Sequence, residues 1–223
     1  MNASQFFKKG NYKIDKSVLT CTIPTSVCFG EGKQCKNCYA RNPERLFKVV
    51  KAFRDRAFEF TKSEAFVPDC IEFLRKQKRT KVRIHEAGDF YSEEYVNKWV
   101  EIAEALPEIK FFAFTKKYRV FTKSLLSFDS LSNVNIINSE TSEGFNYGNI
   151  EHIEKLITEG YTLCPCADVN WHGCGKECNK CFDKENTKVC FLVHTPTTLA
   201  QAAISGGYTK KKGAFRLTPI KGE

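Results

Sequence analysis

Cysteine constrains this chain more than any other residue type. Eleven cysteines occur in 223 residues, and nine of them fall into two clusters, within residues 28–38 and 164–190. The odd count and the polar N-terminus, which has no apolar signal segment, argue against the disulfide framework of a secreted protein. Clustered cysteines in a reducing compartment usually bind metal. The pattern therefore predicts a cytoplasmic metal-binding protein.

The first cluster has the spacing C-x6-C-x2-C and consists of Cys28, Cys35 and Cys38. Three thiolates leave one iron of a [4Fe–4S] cluster open to a small molecule, whereas a structural zinc site takes four protein ligands. Cys21 could supply a fourth ligand, but it alternates with apolar residues in a strand-like segment. We therefore predict that Cys21 is a buried core thiol.

The second cluster contains the spacing C-x3-C-x2-C, formed by Cys174, Cys178 and Cys181, and Cys164 could complete a site of four. Four thiolates suit either a second iron–sulfur cluster or a structural zinc site. Cys166 is an alternative to Cys164 as the fourth ligand. The sequence leaves the metal at this position open.

Strand-like and helix-like segments alternate along the chain, which predicts a parallel α/β fold. An open doubly wound sheet and a partial (β/α)6 barrel are both compatible with this order. The helical stretch 40–78 is expected to break at Pro68, and Ser92 is expected to cap the next helix. The six predicted strands cover residues 17–24, 81–85, 110–115, 133–138, 161–163 and 188–194.

The domain organisation that we predict has three parts. Residues 1–16 form an N-terminal arm, and residues 17–205 form the barrel. The Cys-rich metal-binding segment 164–190 is inserted into the barrel after strand five. Residues 206–223 form a basic C-terminal tail.

Several motifs resemble known families. A cysteine loop after the first strand, with Tyr39 beside its last cysteine, resembles the radical S-adenosylmethionine (SAM) superfamily. The loop ending CYA, the segment HEAGDFYSEEYVNKW at 85–99 and the segment FAFTKK at 112–117 are similar to a phage family, the gene product eighty-eight-like proteins. The resemblance covers most of residues 17–195. It implies a radical-SAM-like partial barrel with one or two [4Fe–4S] clusters, in which bound SAM yields a 5′-deoxyadenosyl radical.

The resemblance also implies roles for residues at the carboxyl ends of the strands, where barrel sites lie. Gly88 and Asp89 would bind the SAM amino group. Alternatively, Asp89 caps the next helix. Further SAM contacts are assigned to Tyr39, Thr115 and Ser139. The candidate catalytic residues are His85 and Lys116, although His85 could instead be a core histidine and Lys116 a solvated lysine.

The charge of the chain suggests its partners. A net charge of +9 and a pI near 9.0 attract polyanions, so nucleic acid is a candidate substrate or partner. The radical-SAM interpretation adds SAM and an external electron donor, and it predicts an enzyme. The rival function is a non-catalytic nucleic-acid-binding protein stabilised by zinc or iron–sulfur. No apolar run is long enough to span a membrane, and no membrane partner is expected.

Overall fold

The computed structural model describes residues 1–11, 14–28, 38, 40–117, 119–139, 158–164, 173–185, 189–190, 208–211 and 214–217. It divides into two compact units. The first comprises Met1–Asn11, Lys16–Thr141 and Asn179–Thr187. The second comprises Tyr12–Asp15, Ser142–Cys178 and Lys188–Glu223.

The first unit contains a five-stranded mixed sheet and its helices. The strands are β1 (Lys8–Lys9), β2 (Val18–Thr22), β3 (Lys81–Ala87), β4 (Lys110–Thr115) and β5 (Val134–Asn138). The helices are α1 (Ala3–Phe6), α2 (Arg41–Leu46), α3 (Lys48–Lys62), α4 (Phe66–Arg75), α5 (Glu93–Glu104) and α6 (Thr122–Leu126). Short 3-10 turns cover Thr25–Cys28, Ser127–Ser130 and Lys180–Phe182.

The strands lie side by side in chain order, β1-β2-β3-β4-β5, and the sheet is open. β1 pairs antiparallel with β2, and each later pair is parallel. Parallel neighbours require crossover connections, which here contain the helices α2 to α6. The described residues therefore form a mixed α/β fold. These residues show an open sheet, and they do not show a closed or partial barrel.

The hydrophobic core lies between the helices and one face of the sheet. Alternate strand residues such as Leu19, Ile84 and Phe111 meet aromatic helix residues such as Phe66 and Trp99 there. Trp99 is fully buried, and its ring contacts those of Phe66 and Phe111 edge-on. Because side chains alternate across a strand, the intervening residues point to the opposite face of the sheet.

The opposite face is covered in part by residues 179–185. The ring of Phe182 packs edge-on against Phe112 at 4.7 Å between centroids. The Asn135 amide donates to the carbonyl oxygens of Cys181 and Asp183 at 3.1 and 2.9 Å. Arg83 lies over the ring of Phe112, 5.8 Å from its centroid. A cysteine-bearing segment is thereby held on the sheet by ordinary packing and hydrogen bonds.

The second unit contains two small sheets in its described residues. A parallel pair joins β6 (Thr162–Leu163) to β7 (Val189–Cys190), and an antiparallel pair joins β8 (Tyr208–Lys211) to β9 (Ala214–Leu217). A turn at 173–178 is closed by a hydrogen bond from the Gly175 amide to the Cys178 carbonyl, 2.8 Å long. Across the described part of the whole chain, no helix is both long and apolar enough to cross a membrane.

Comparison with the sequence predictions confirms the α/β class but corrects details. The first four long strands lie within a few residues of their predicted positions, and Ser92 caps α5, accepting a hydrogen bond from the Tyr95 amide at 3.1 Å. The expected helix break at Pro68 is wrong. Pro68 lies in the first turn of α4, where the missing amide hydrogen breaks no helical bond, and the stretch is interrupted instead at Phe47 and at Ser63. The domain boundaries at residues 16 and 205 stay predictions.

Candidate functional site

Asp89 is the centre of the polar residues at the carboxyl edge of the parallel sheet. Its carboxylate is 6% exposed and accepts hydrogen bonds from the Thr115 hydroxyl, the Phe90 amide and the Lys116 amide, at 2.7, 2.8 and 2.9 Å. Burial raises the pKa of Asp89, and the three hydrogen bonds only partly offset that rise. Asp89 therefore fastens the segment after β3 to the end of β4. The alternative role as a helix cap is wrong, since Ser92 caps α5.

The end of β5 joins the same arrangement through its backbone. The Ser139 amide donates to the Thr115 carbonyl at 2.7 Å, and the Thr115 hydroxyl accepts from the Lys117 amide at 2.9 Å. The structure thus brings together Asp89, Thr115 and Ser139, as expected from the sequence. The Lys116 side chain is exposed. Tyr39 lies outside the described residues, so its predicted role stays a prediction.

Gly88 allows the chain to pass closely over the end of β2. Its φ is +95°, and a Cβ built on it would lie 2.2 Å from Ile23 Cγ1 and 3.0 Å from the Ile23 carbonyl oxygen. A side chain at this position would meet both a left-handed backbone and a clash. The glycine that the resemblance assigns to the SAM amino group therefore has a sufficient packing reason to be there.

His85 lies in a bulge of β3. Between Thr20 and Thr22 of β2 the pairing advances from Arg83 to Ala87 on β3, so β3 carries extra residues there. His85 takes up the bulge with φ +61°, which is unusual for a residue other than glycine. The bulge leaves Glu86 close to Thr20, whose hydroxyl donates to the Glu86 carboxylate at 3.2 Å.

The His85 side chain belongs to the core. It is 4% exposed, and its Nε2 lies 3.0 Å from the Tyr95 hydroxyl, while Nδ1 has no hydrogen-bond partner among the described residues. Burial, with the nearby Arg83 charge, lowers the pKa of His85 to about 3. The neighbouring Cys21 is also buried, which raises the pKa of its thiol to about 12. Both groups are therefore neutral near pH 7. The prediction of Cys21 as a core thiol is confirmed, and a catalytic role for His85 or Lys116 stays a prediction.

An ion pair between buried Arg54 and partly buried Glu44, which was not predicted from the sequence, holds the segment after β2. The Glu44 carboxylate accepts from the Thr25 amide at 2.9 Å and from Arg54 Nη1 at 2.7 Å. Arg54 also donates to the Ala40 carbonyl at 2.8 Å. Burial acts to raise the pKa of Glu44, but the bonds from Thr25 and Arg54 outweigh it and leave the pKa lowered. Basic and acidic residues alternate in α2 and α3, so the sequence does not show which two of them face inward and pair.

The predicted metal ligands are distributed over both units. Cys28 and Cys38 are half-buried in the first unit, and Cys35 lies outside the described residues. Of the second set, Cys181 belongs to the first unit, whereas Cys164, Cys174 and Cys178 belong to the second. Among the described residues, no group of three or more histidine, cysteine, aspartate or glutamate side chains could hold a metal ion.

The opposite, amino edge of the sheet carries an open basic cleft. Its volume is about 500 Å³, and its lining residues are Lys16, Ser17, Lys76, Gln77, Lys78 and Arg79. The first two residues precede β2 and the other four precede β3, so the cleft spans the starts of two parallel strands. Arg79 Nε donates to the Lys16 carbonyl at 2.8 Å, which joins the two walls. Lys76 pairs with Glu72, and none of the lining residues is acidic.

The fold and these two edges define a mixed α/β protein with an open, largely parallel sheet. The sequence pattern of the family described as gene product 88 matches residues 3–163, so the chain belongs to the gene product 88 family. The gene 88 protein of Mycobacterium phage D29 is 25% identical over 193 residues, which cover 76% of this chain and 73% of the relative. The gene 88 protein of Mycobacterium phage L5 is 28% identical over 109 residues, or 44% and 43% of the two chains. No solved structure matches the chain.

These findings correct the functional expectation. The radical-SAM assignment is wrong, because the matching family is gene product 88 and the relatives are gene 88 proteins. An iron–sulfur radical enzyme, and its rival, a nucleic-acid-binding protein stabilised by metal, both required a metal-binding group that the described residues do not form. The physical reason for the error is that spacing along the chain does not ensure a shared site, since Cys181 belongs to the first unit and Cys164, Cys174 and Cys178 belong to the second. The binding of SAM, of zinc or of a [4Fe–4S] cluster stays a prediction, since Cys35 lies outside the described residues.

Proposed function

We propose that this chain binds the phosphate backbone of nucleic acid in the basic cleft at the amino edge of its sheet. The observation that carries the proposal is the lining of the cleft, four cations with no carboxylate among the lining residues. A charge of +9 on the whole chain adds long-range attraction for a polyanion. Phosphate contacts of this kind give affinity without sequence selection.

The end of a helix supplies a competing explanation for the cations. α4 ends at Arg75, next to the cleft, and cations at a helix C-terminus offset its partial negative charge. That partial charge is only about half an elementary charge. The cleft and Arg75 together carry five cations, of which Lys76 is paired with Glu72. The positive charge therefore exceeds what the helix end requires.

The chemistry of the lining also favours backbone contacts over base reading. Lysine and arginine neutralise phosphates, and the lining residues Lys16, Lys76, Lys78 and Arg79 are of these two types. None of the six lining residues is aromatic, so stacking on bases does not contribute there. We expect comparable affinity for single-stranded and duplex oligonucleotides of unrelated sequence.

Salt dependence tests the proposal directly. We would measure binding of a labelled duplex DNA of about 20 base pairs by fluorescence anisotropy over a series of salt concentrations. Removing one cation that neutralises a phosphate reduces the slope of log K against log salt by about 0.9 for duplex DNA. Changing Lys16 and Lys78 to Gln is expected to reduce the magnitude of the slope by about 2 and to weaken binding by about tenfold or more.

The matched control is a pair of cations elsewhere on the surface, Arg56 and Lys123, both changed to Gln. This variant has the same net charge as the cleft variant, so it isolates position from total charge. We expect its slope to fall by much less than that of the cleft variant. Equal slopes for the two variants, or no measurable binding by the unaltered chain, would contradict the proposal.

We also propose that the first unit is part of a partial (β/α)6 barrel. The chain order of its parallel strands β2 to β5, with the core helices on one face, supports this proposal. Enzymatic activity and an external electron donor stay predictions, as does the cytoplasmic location.

A further inference from the structure

An exposed apolar segment lies at the junction of α2 and α3. Leu46, Phe47 and Val49 are 64%, 56% and 73% exposed. Six large hydrophobic residues are exposed in the described part of the chain. Leu46, Phe47 and Val49 are three of them, and they lie within the four-residue stretch 46–49. Exposed apolar side chains that cluster in this way mark interaction surfaces. Residues 45–49, Arg-Leu-Phe-Lys-Val, are called the apolar tip.

The tip is held in place by its backbone. Phe47 has an extended backbone between the two helices, and its amide donates to the Pro43 carbonyl at 2.9 Å. Its carbonyl accepts from the amides of Val50 and Lys51 at 3.0 and 3.2 Å and so starts α3. Immediately before the tip, Glu44 is fastened inward to Arg54 and Thr25. The apolar side chains therefore project from a fixed base into solvent.

The charge around the tip is positive. Arg41, Arg45 and Lys48 are exposed, whereas Glu44, the only acidic residue between 40 and 54, has a side chain that is 15% exposed and faces Arg54. The next acidic residue along the chain, Asp55, pairs with Lys51 at 2.7 Å. The outward face thus combines three apolar side chains with three cations, which complements a surface that is anionic outside and apolar beneath.

We propose that the apolar tip docks on an anionic lipid surface. Leucine and valine gain by leaving water for the acyl region, while arginine and lysine contact the anionic headgroups. Nucleic acid fits this surface less well, because bases stack on aromatic rings and offer nothing to Leu46 or Val49. A second copy of the chain fits less well too, since each copy carries a charge of +9.

The first test measures partition of the full chain on vesicles. Vesicles of phosphatidylglycerol and phosphatidylcholine in equal parts are compared with vesicles of phosphatidylcholine alone, by sedimentation. The variant Leu46→Ser, Phe47→Ser, Val49→Ser keeps every charge, and we expect it to lose about tenfold or more in partition on the anionic vesicles. The control variant Val120→Ser, Leu126→Ser changes exposed apolar residues elsewhere and is expected to stay within about twofold of the unaltered chain.

The second test reports insertion independently of affinity. Phe47→Trp is expected to shift its emission to shorter wavelength on anionic vesicles and to be quenched by brominated acyl chains, whereas Val120→Trp shows neither effect. Unchanged partition of the serine variant, or no quenching at Trp introduced for Phe47, overturns the proposal. Quenching of the Phe47→Trp fluorescence by an oligonucleotide in the absence of vesicles would also overturn the lipid proposal, in favour of base stacking. The cleft variants leave acyl-chain quenching unchanged, so failure of this proposal is distinct from failure of the nucleic-acid proposal.

Discussion

The two edges of one parallel sheet use polar residues in opposite ways. At the carboxyl edge, Asp89 and Thr115 are buried and bonded to each other and to neighbouring amides. At the amino edge, Lys16 and Lys78 are exposed beside an open cleft of about 500 Å³. The Asp89 carboxylate and the Thr115 hydroxyl therefore join strands, whereas Lys16 and Lys78 face solvent.

This difference runs against the usual rule for parallel α/β proteins. Ligands commonly bind at the carboxyl ends of the strands, where loops of variable sequence meet. In this chain the Asp89 carboxylate and the Thr115 hydroxyl at that edge have internal partners, and Gly88 packs closely on Ile23. A polar residue at the carboxyl end of a strand therefore does not by itself indicate a binding site. A stronger indication is whether its hydrogen-bonding groups are already paired inside the fold.

Loss of the Asp89 carboxylate is expected to have the largest effect on stability. Asp89→Ala leaves the Thr115 hydroxyl and the amides of Phe90 and Lys116 without their acceptor, which we expect to cost about 3 kcal/mol in the free energy of unfolding. Urea unfolding followed by Trp fluorescence measures this change. Asp129→Ala, at an exposed position, is the control and is expected to stay within about 0.5 kcal/mol. If Asp89→Ala lowered the free energy of unfolding by no more than Asp129→Ala does, Asp89 would not stabilise the junction between the strands.

Substitution of Gly88 comes next in size. Gly88→Ala combines a left-handed φ with a Cβ 2.2 Å from Ile23 Cγ1, and we expect a loss of about 2 to 3 kcal/mol. Gly160→Ala separates these two causes, because Gly160 has φ +86° but nothing within 4 Å of its Cβ. That control is expected to cost about 1 kcal/mol. Equal losses for both variants would mean that the close approach to Ile23 contributes nothing.

The pH dependence of stability is expected to report the burial of His85. Because the folded-state pKa is about 3 and the unfolded value is about 6.5, the unfolded chain binds a proton that the folded chain rejects. This contribution to stability is present above about pH 6.5 and is lost as the pH falls toward 3. At pH 5 the loss is about 2 kcal/mol.

The comparison variant for this measurement is His85→Asn, since asparagine does not titrate and tolerates positive φ. Between pH 7.5 and 5, the unaltered chain is expected to lose about 2 kcal/mol more than the variant. Parallel pH profiles for the two proteins would show that the pKa of His85 is the same in the folded and unfolded chain, so that His85 can take up a proton in the folded state. That result would reopen a catalytic role for His85 at the carboxyl edge.

Much of the fold could be predicted because local patterns determine it. The strand at 110–115, with its run of four apolar residues, and the cap at Ser92 need only neighbouring residues, and both are confirmed. The bulge at His85 could not be predicted, because it depends on pairing with β2, some 64 residues away. For the same reason the Glu44–Arg54 pair was missed, since an inward-facing charge looks like a surface charge until packing buries it.

The candidate site was predicted only in part, because residue type does not specify use. Asp89, Thr115 and Ser139 were expected near one another and are, but the mutual hydrogen bonds that occupy them follow from the register of β3, β4 and β5. The basic cleft depends on the parallel pairing of β2 with β3, which brings Lys16 beside Lys78 and Arg79. Neither segment alone indicates a cleft.

Lys116 gives the smallest expected effect and the sharpest test of the difference between the edges. Only its backbone amide takes part in the carboxyl-edge hydrogen bonds, and its side chain is exposed. Lys116→Ala should therefore change the free energy of unfolding by less than about 0.5 kcal/mol. It should also leave oligonucleotide affinity within about twofold, since the loss of one distant charge is largely screened at physiological salt. If the variant instead weakened binding as much as the Lys16 and Lys78 changes do, the ligand would contact the carboxyl edge, and the exposed side chain there would be the functional group that the buried carboxylate beside it positions.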